Sequence, residues 1–251
     1  MNLNIINSIL FHPRKAPDEM KDNDILIKVE QDIKVGIRHH IVSPLSPNIL
    51  FFHGNGEIGA EYNDIAKVFN QKNINFIVAD FRGYGFSNGI PNVFNTPNDA
   101  HIILDYILNF LISEYFSGPL IIMGRSLGSV SALELSKRYP KDFIGLIIES
   151  GFIDEKPLLK LMGVDTEKIG YVNENGFLHN QKIENYKGPL LVIHAEKDHI
   201  IPFEHGEKMI SISNSENKEL IPIGNANHNN ILSINPDLYF NKITEFISKC
   251  K

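Results

Sequence analysis

At 251 residues the chain is long enough for one large or two small domains, and its 43% hydrophobic content supplies a sizeable core. Its 30 acidic side chains outnumber 24 basic ones, a net charge of −6, so it has no overall attraction to nucleic acid or to an anionic membrane surface. The only cysteine, Cys250, excludes an intrachain disulfide framework and a thiolate metal cluster.

Taken in order, the N-terminal stretch lacks a basic region ahead of its apolar residues, and the run from Ile5 to Phe11 is broken by asparagine and serine. It makes a poor secretory signal. No apolar run approaches the roughly 18 residues that span a bilayer. The expectation is a soluble, cytoplasmic protein with no stable membrane span, with Ile9-Leu10-Phe11 available to brush a membrane surface or a partner.

Two β-like runs, Ile25 to Glu30 and Ile33 to Ile41, alternate well enough for an antiparallel hairpin. Asn48 to Phe52 is a buried-strand run that ends in His53-Gly54-Asn55-Gly56. A helix is expected over Glu61 to Gln71, then a strand over Asn75 to Ala79 running into Asp80-Phe81-Arg82-Gly83-Tyr84-Gly85-Phe86-Ser87. Thr96 to Tyr115 reads as a long helix, with Pro97 and Asp99 as start signals. The apolar run Leu120 to Met123 stops at Gly124-Arg125-Ser126-Leu127-Gly128, and a helical pattern begins near Ser129. Further strands are expected over Phe143 to Ile148, Leu190 to Ala195 and Glu219 to Ile223. Helices are expected over Phe203 to Ser211 and Pro236 to Lys249. Buried apolar strands alternating with helices imply a mostly parallel sheet covered on both faces, with functional residues just beyond the carboxyl ends of the strands.

One segment breaks the alternation. Residues 152–186 exceed the usual connection plus one helix, and a small cap over the site accounts for the length. Phe152, Ile153, Leu158, Met162, Phe177 and Ile200 are the candidate lining of an apolar substrate pocket; packing on the sheet is the alternative for the cap residues. The domain reading is therefore a single α/β domain over residues 1–251 with a cap insertion at about 152–186.

The strand, sharp turn and helix around Ser126 place a serine at the tip of a reversal so tight that side chains two residues away on either side would collide with the neighbouring strand and helix. Gly124 and Gly128 remove those collisions. A serine hydroxyl is a weak nucleophile at neutral pH and needs a base within hydrogen-bond reach, itself oriented by a third group. Among ten histidines, His228, in the polar loop after the last strand, has the right position. His53 heads the loop after an earlier strand, His194 ends a strand and is read as packed in the core, and adjacent His39 and His40 face opposite ways. Asp198 follows a strand end between nucleophile and base; Glu149 and Glu196 are its rivals. An anionic tetrahedral intermediate needs backbone donors. Leu127 N–H is one, and the loop with Asn55 supplies the other.

With H-G-N-G at 53–56, D-F-R-G-Y-G-F-S at 80–87, G-R-S-L-G at 124–128, D-H-I-I-P at 198–202 and His228 in this order, the chain resembles the α/β-hydrolase superfamily from about Ile25 to the C-terminus. The 80–87 loop is similar to that of compact serine esterases, acyl-protein thioesterases and monoacylglycerol lipases, in which it is mainly structural. The resemblance implies an α/β-hydrolase fold with an N-terminal antiparallel hairpin, and a serine hydrolase that cleaves a small-molecule carboxylic ester or thioester through an acyl-enzyme. The catalytic set is Ser126, Asp198 and His228, with Asn55 and Leu127 as oxyanion donors and no metal or organic cofactor. A peptidase of the same fold is the alternative within the enzymes, and a non-catalytic binding protein the alternative outside them. Ala195 departs from the glycine that many relatives carry before the acid. Arg125 suits either an anionic substrate or, preferably, a salt bridge to a neighbouring loop. Nothing in the sequence sets the oligomeric state.

Overall fold

Five strands carry unbroken apolar runs, every residue of them buried, and they form the centre of one sheet. The computed structural model describes residues 3–138, 141–161, 163–171 and 176–250. Within them, α1 (Leu3–Leu10) leads to β1 (Asp24–Lys28), β2 (Lys34–His40), β3 (Asn48–Phe52), α2 (Asn63–Gln71), β4 (Asn75–Ala79), α3 (Asn95–Ser113), β5 (Leu120–Arg125) and α4 (Ser129–Leu135). Then follow β6 (Gly145–Glu149), α5 (Glu155–Leu161), α6 (His179–Asn185), β7 (Leu190–Ala195), α7 (Glu204–Ile212), β8 (Lys218–Ile223), α8 (Ile231–Ile234) and α9 (Pro236–Lys249).

The strand order is β1-β2-β4-β3-β5-β6-β7-β8. β1 and β2 form the expected antiparallel hairpin, with Ile25 opposite Ile37 and Ile27 opposite Val35. β2 also runs antiparallel to β4, and the remaining pairings are parallel. Alternate side chains feed opposite faces of the sheet. Leu50 and Phe52 join Ile77, Leu104 and Leu133 on one face, whereas Ile49 and Phe51 join Phe69, Met123, Phe240 and Ile243 on the other. Burying each such side chain contributes about 1.5–3 kcal/mol, so both faces hold the sheet flat against its helices.

The N-terminal helix departs from the sequence reading. Leu10 and Phe11, expected to brush a membrane or a partner, are each only 4% exposed and sit in the core with Ile6. The amphipathic α1 lays this face against α5, which removes the apolar surface from solvent. The long connection between β6 and β7 holds α5 and α6. α6 is tied to α4 through Lys182 Nζ and Glu134 Oε2, 2.7 Å apart, and buried His179 donates from Nδ1 to the Phe152 carbonyl at 2.7 Å. Among the described residues no helix is long and apolar enough to cross a membrane.

The two strands of the edge hairpin are tied together by Arg38, whose Nε and Nη2 each donate to Asp24 at 2.6 Å, while Nη1 donates to Asn63 Oδ1 of α2 at 3.2 Å. Burial raises the Asp24 carboxyl, but the Arg38 hydrogen bonds and charge outweigh it and hold the group below its ordinary value. A carboxyl depressed in the folded state contributes stability above its unfolded value, about pH 4, and that stability is lost as pH falls through the folded value. Asp24→Asn is therefore expected to cost about 2 kcal/mol at pH 7 and to flatten the fall in stability below pH 4. Urea unfolding at pH 7, 4 and 3 measures both; an acid limb as steep as in the wild type contradicts the assignment.

Candidate active site

β5 ends, and within three residues the chain has turned into α4. Ser126 sits at the tip with φ +50, a left-handed conformation that costs a non-glycine residue free energy and is sustained only by the surrounding packing. The flanking glycines are sterically required. A Cβ on Gly124 would lie 2.5 Å from the Gly128 carbonyl oxygen, and one on Gly128 would lie 2.0 Å from the carbonyl oxygen of Phe52. The second distance shows that the elbow packs directly against the end of β3, where the loop of Asn55 begins.

Three groups that are far apart in sequence meet at this tip. His228 Nε2 lies 3.0 Å from Ser126 Oγ, and His228 Nδ1 lies 2.8 Å from Asp198 Oδ2. A carboxylate only accepts, so Nδ1 carries the ring proton and Nε2 offers its lone pair to the serine hydroxyl. The other oxygen, Asp198 Oδ1, accepts from the N–H groups of Ile200 and Ile201 at 3.0 and 2.8 Å. Burial raises the Asp198 carboxyl, but His228 and these two N–H groups pull it further down, so it is held below the usual carboxylate range. All three residues are at most 9% exposed. The arrangement is a buried base whose tautomer is set on one side and whose lone pair faces a hydroxyl on the other.

None of the rivals takes a place in this chain of hydrogen bonds, although His194 Nε2 stands 3.7 Å from Asp198 Oδ2. Glu196 is exposed, and Glu149 faces Arg125 and Tyr239, 3.2 and 2.6 Å away. His194 is fully buried, with Nε2 donating to the Ile201 carbonyl at 2.8 Å, and His53 is buried with Nε2 3.2 Å from Asp80 Oδ1. Asp80 also accepts from Gly59 N–H at 2.8 Å, and Arg82 grips Asp99 through two hydrogen bonds of 2.7 and 2.8 Å. The 80–87 loop thus ties the fold together around the site. Arg125 meets the neighbouring loop as preferred: its Nε donates to Glu57 Oε1 at 3.0 Å.

The segment before β1 contributes what sequence reading missed. His12 N–H and the Tyr84 hydroxyl donate to Asn55 Oδ1 at 2.8 and 2.7 Å, and Asn55 Nδ2 lies 3.2 Å from His12 Nδ1. Arg14 adds a hydrogen bond to the Gly56 carbonyl and an ion pair to Glu61. Both ends of the Asn55 amide are therefore engaged by the N-terminal segment and the 80–87 loop. No local pattern signals this, because His12 and Asn55 are 43 residues apart.

The candidate pocket residues lie in the connection between β6 and β7, except Ile200, which follows β7. Phe152, Ile153 and Phe177 are buried members of the core, and Leu158 and Ile200 are half-buried against it; Met162 lies outside the described residues. Phe152 and Phe177 both pack on the His179 ring, with centroids 4.6 and 5.5 Å away. Ile153 borders a cavity of about 260 Å³ with Asp154, Leu178 and Lys208.

A profile of the Hydrolase_4 family, described as serine aminopeptidase, S33, matches residues 44–169, just over half of the chain. The chain belongs to the α/β-hydrolase superfamily. This α/β-hydrolase is 27% identical over 252 residues to lysophosphatidylserine lipase ABHD12 of Xenopus tropicalis, a match that takes in 84% of the chain and 64% of that protein. It thus spans a little under two thirds of the length of that relative. It is 30% identical over 200 residues to the uncharacterized protein R595 of Acanthamoeba polyphaga mimivirus, covering 72% of the chain and 67% of that protein. Among solved structures, the Pyrococcus furiosus esterase Pf2001 superposes with a TM-score of 0.75 at 17% identity, over 96% of this chain and 97% of that one. At that identity the likeness is one of fold, and it extends to the mostly parallel sheet and its covering helices.

Proposed function

We propose that this α/β-hydrolase is a serine hydrolase that cleaves a carboxylic ester or thioester through an acyl-enzyme. The observation that carries the proposal is the unbroken pair of hydrogen bonds from Ser126 Oγ through the His228 ring to Asp198, at 3.0 and 2.8 Å. Ser126 Oγ attacks the acyl carbonyl as His228 Nε2 takes its proton. Asp198 keeps the ring in that tautomer and stabilises the imidazolium that forms. The N–H groups of Leu127 and Asn55 receive the negative charge on the carbonyl oxygen, and losing one such donor typically costs about 3–4 kcal/mol of transition-state stabilisation. Collapse of the intermediate transfers the proton from His228 to the departing alcohol or thiol. Water then attacks the acyl carbonyl as it gives a proton to His228, which passes that proton to Ser126 Oγ as the acyl–oxygen bond breaks and the acid is released. Every proton in the cycle passes through one nitrogen, and no metal or organic cofactor takes part in these steps.

The engaged Asn55 amide supports the backbone N–H, rather than the side chain, as the loop's oxyanion donor. The acyl group is proposed to lie against Ile153 and Leu158 of the cap segment, with Ile200 beside the acid loop; Phe152 and Phe177 are buried in the core. The family description favours one second reading, hydrolysis of a peptide amide, whereas the lysophosphatidylserine lipase among the relatives favours the ester. A panel of p-nitrophenyl esters and acyl thioesters of increasing chain length, run beside aminoacyl and peptidyl p-nitroanilides, separates them. Ester or thioester turnover at least 10-fold above amide turnover is expected; faster amide turnover contradicts the proposal.

A further inference from the structure

Arg125 immediately precedes Ser126 and is only 8% exposed, yet its guanidinium serves three acceptors on three separate elements. Nε donates to Glu57 Oε1 at 3.0 Å, Nη1 to Glu149 Oε1 at 3.2 Å, and Nη2 to the backbone carbonyl of His228 at 3.0 Å. Glu57 belongs to the loop after β3, Glu149 ends β6, and His228 lies in the loop after β8. The pattern continues outward. The second oxygen of Glu57 accepts from Gly54 N–H at 2.6 Å and from the Tyr62 hydroxyl, and Glu149 Oε2 accepts from the Tyr239 hydroxyl at 2.6 Å. A single connected path therefore runs from the Gly54 amide, beside Asn55, through Glu57 and Arg125 to the main chain of His228.

A planar fork of five N–H donors suits this task, and a lysine ammonium, a point charge on a flexible stem, does not reproduce it. Stability alone does not account for the cluster, because a buried ion group is often replaceable by apolar side chains without loss. Three of its five N–H groups, one on each nitrogen, already donate to protein, and two carboxylates neutralise its charge, which disfavours a role in holding a substrate anion. What the cluster does hold is geometry: two loops and the end of β6 are fixed to the residue next to the nucleophile.

We infer that Arg125 is a positioning residue that aligns the His228 loop and the Asn55 loop on Ser126, so that losing its guanidinium lowers turnover and leaves substrate binding intact. The inference rests on the serine-hydrolase reading. The expected cost follows from the sensitivity of proton transfer and oxyanion geometry to displacements near 1 Å, about 100-fold in rate.

The test uses the whole chain with p-nitrophenyl acetate. Arg125→Lys keeps a positive charge between Glu57 and Glu149 and so protects the fold, while Arg125→Ala leaves room for a free guanidinium ion. Thermal melting checks folding of each. For Arg125→Lys, kcat is expected to fall roughly 10- to 100-fold, with KM within about twofold of wild type. Arg125→Ala is expected to lose at least as much and to recover several-fold on adding millimolar guanidinium chloride, with no recovery from sodium chloride. Wild-type kcat in Arg125→Lys, a rise in KM alone, or a folded Arg125→Ala that guanidinium does not rescue overturns the inference; if Arg125→Ala does not fold, the lysine variant decides. Ser126→Ala, run in parallel, isolates the underlying reading: full activity in that variant overturns the serine-hydrolase reading itself, whatever Arg125 does.

Discussion

Ser126→Ala and His228→Ala, each made alone, are expected to lower kcat/KM for p-nitrophenyl esters by about 10⁴-fold or more while leaving the folded structure intact. The reason is the shared proton. Ser126 Oγ and His228 Nε2, 3.0 Å apart, act as one unit, so removing either leaves the other without its partner. The double variant is accordingly expected to be no slower than either single one, a gross failure of additivity. What remains in all three comes from the oxyanion donors and substrate positioning, which do not depend on the pair. Steady-state kinetics of the four proteins, with circular dichroism to confirm folding, makes the comparison. Independent, multiplying effects of the two substitutions contradict the coupling.

The second large effect is on folding. A Cβ at Gly128 would stand 2.0 Å from the Phe52 carbonyl oxygen and 2.6 Å from its carbon. Both are main-chain atoms of the last residue of β3, so no side-chain rotation relieves the clash. Strand or elbow has to move, and Gly128→Ala is expected to cost at least about 3 kcal/mol and to lower Tm by about 6–12 °C. Gly163, with φ +82 and nothing within 4 Å of an added Cβ, separates strain of the main chain from collision. Gly163→Ala is expected to cost about 1–2 kcal/mol. Equal losses at the two positions in a thermal melt contradict the close packing of elbow on strand.

The central strands were legible because a buried parallel strand is apolar along most of its length, and residues 49–52, 76–79 and 190–193 are such runs. Ser126, Asp198 and His228 could be proposed as a set because strand ends in a parallel sheet converge on one edge. In the structure His228 stands within hydrogen-bond distance of both Ser126 and Asp198. Boundaries were weaker. α2 begins at Asn63 rather than Glu61 because a short 3-10 turn, Gly59–Tyr62, takes up the start of the pattern.

What the sequence hid has a common cause, long-range pairing. Arg125 finds partners 68, 24 and 103 residues away, and His12 finds Asn55 43 residues away. Such contacts leave no periodicity in the chain. The short α1, α5 and α6 were missed because helices of seven or eight residues hold only about two turns, too few to reveal an apolar face that is set by docking. The apolar residues of α1 read as available surface for that reason, and only the packing against α5 shows that they are core.

The proposed mechanism is tested most directly by active-site labelling. The folded protein treated with a fluorophosphonate probe is predicted to take up one equivalent, located on Ser126 by peptide mass spectrometry, and to lose its esterase activity in proportion. Labelling is predicted to be absent in Ser126→Ala. A folded, esterase-active protein that takes up no probe, or takes it up at a residue other than Ser126, would contradict the assignment of Ser126 as the nucleophile.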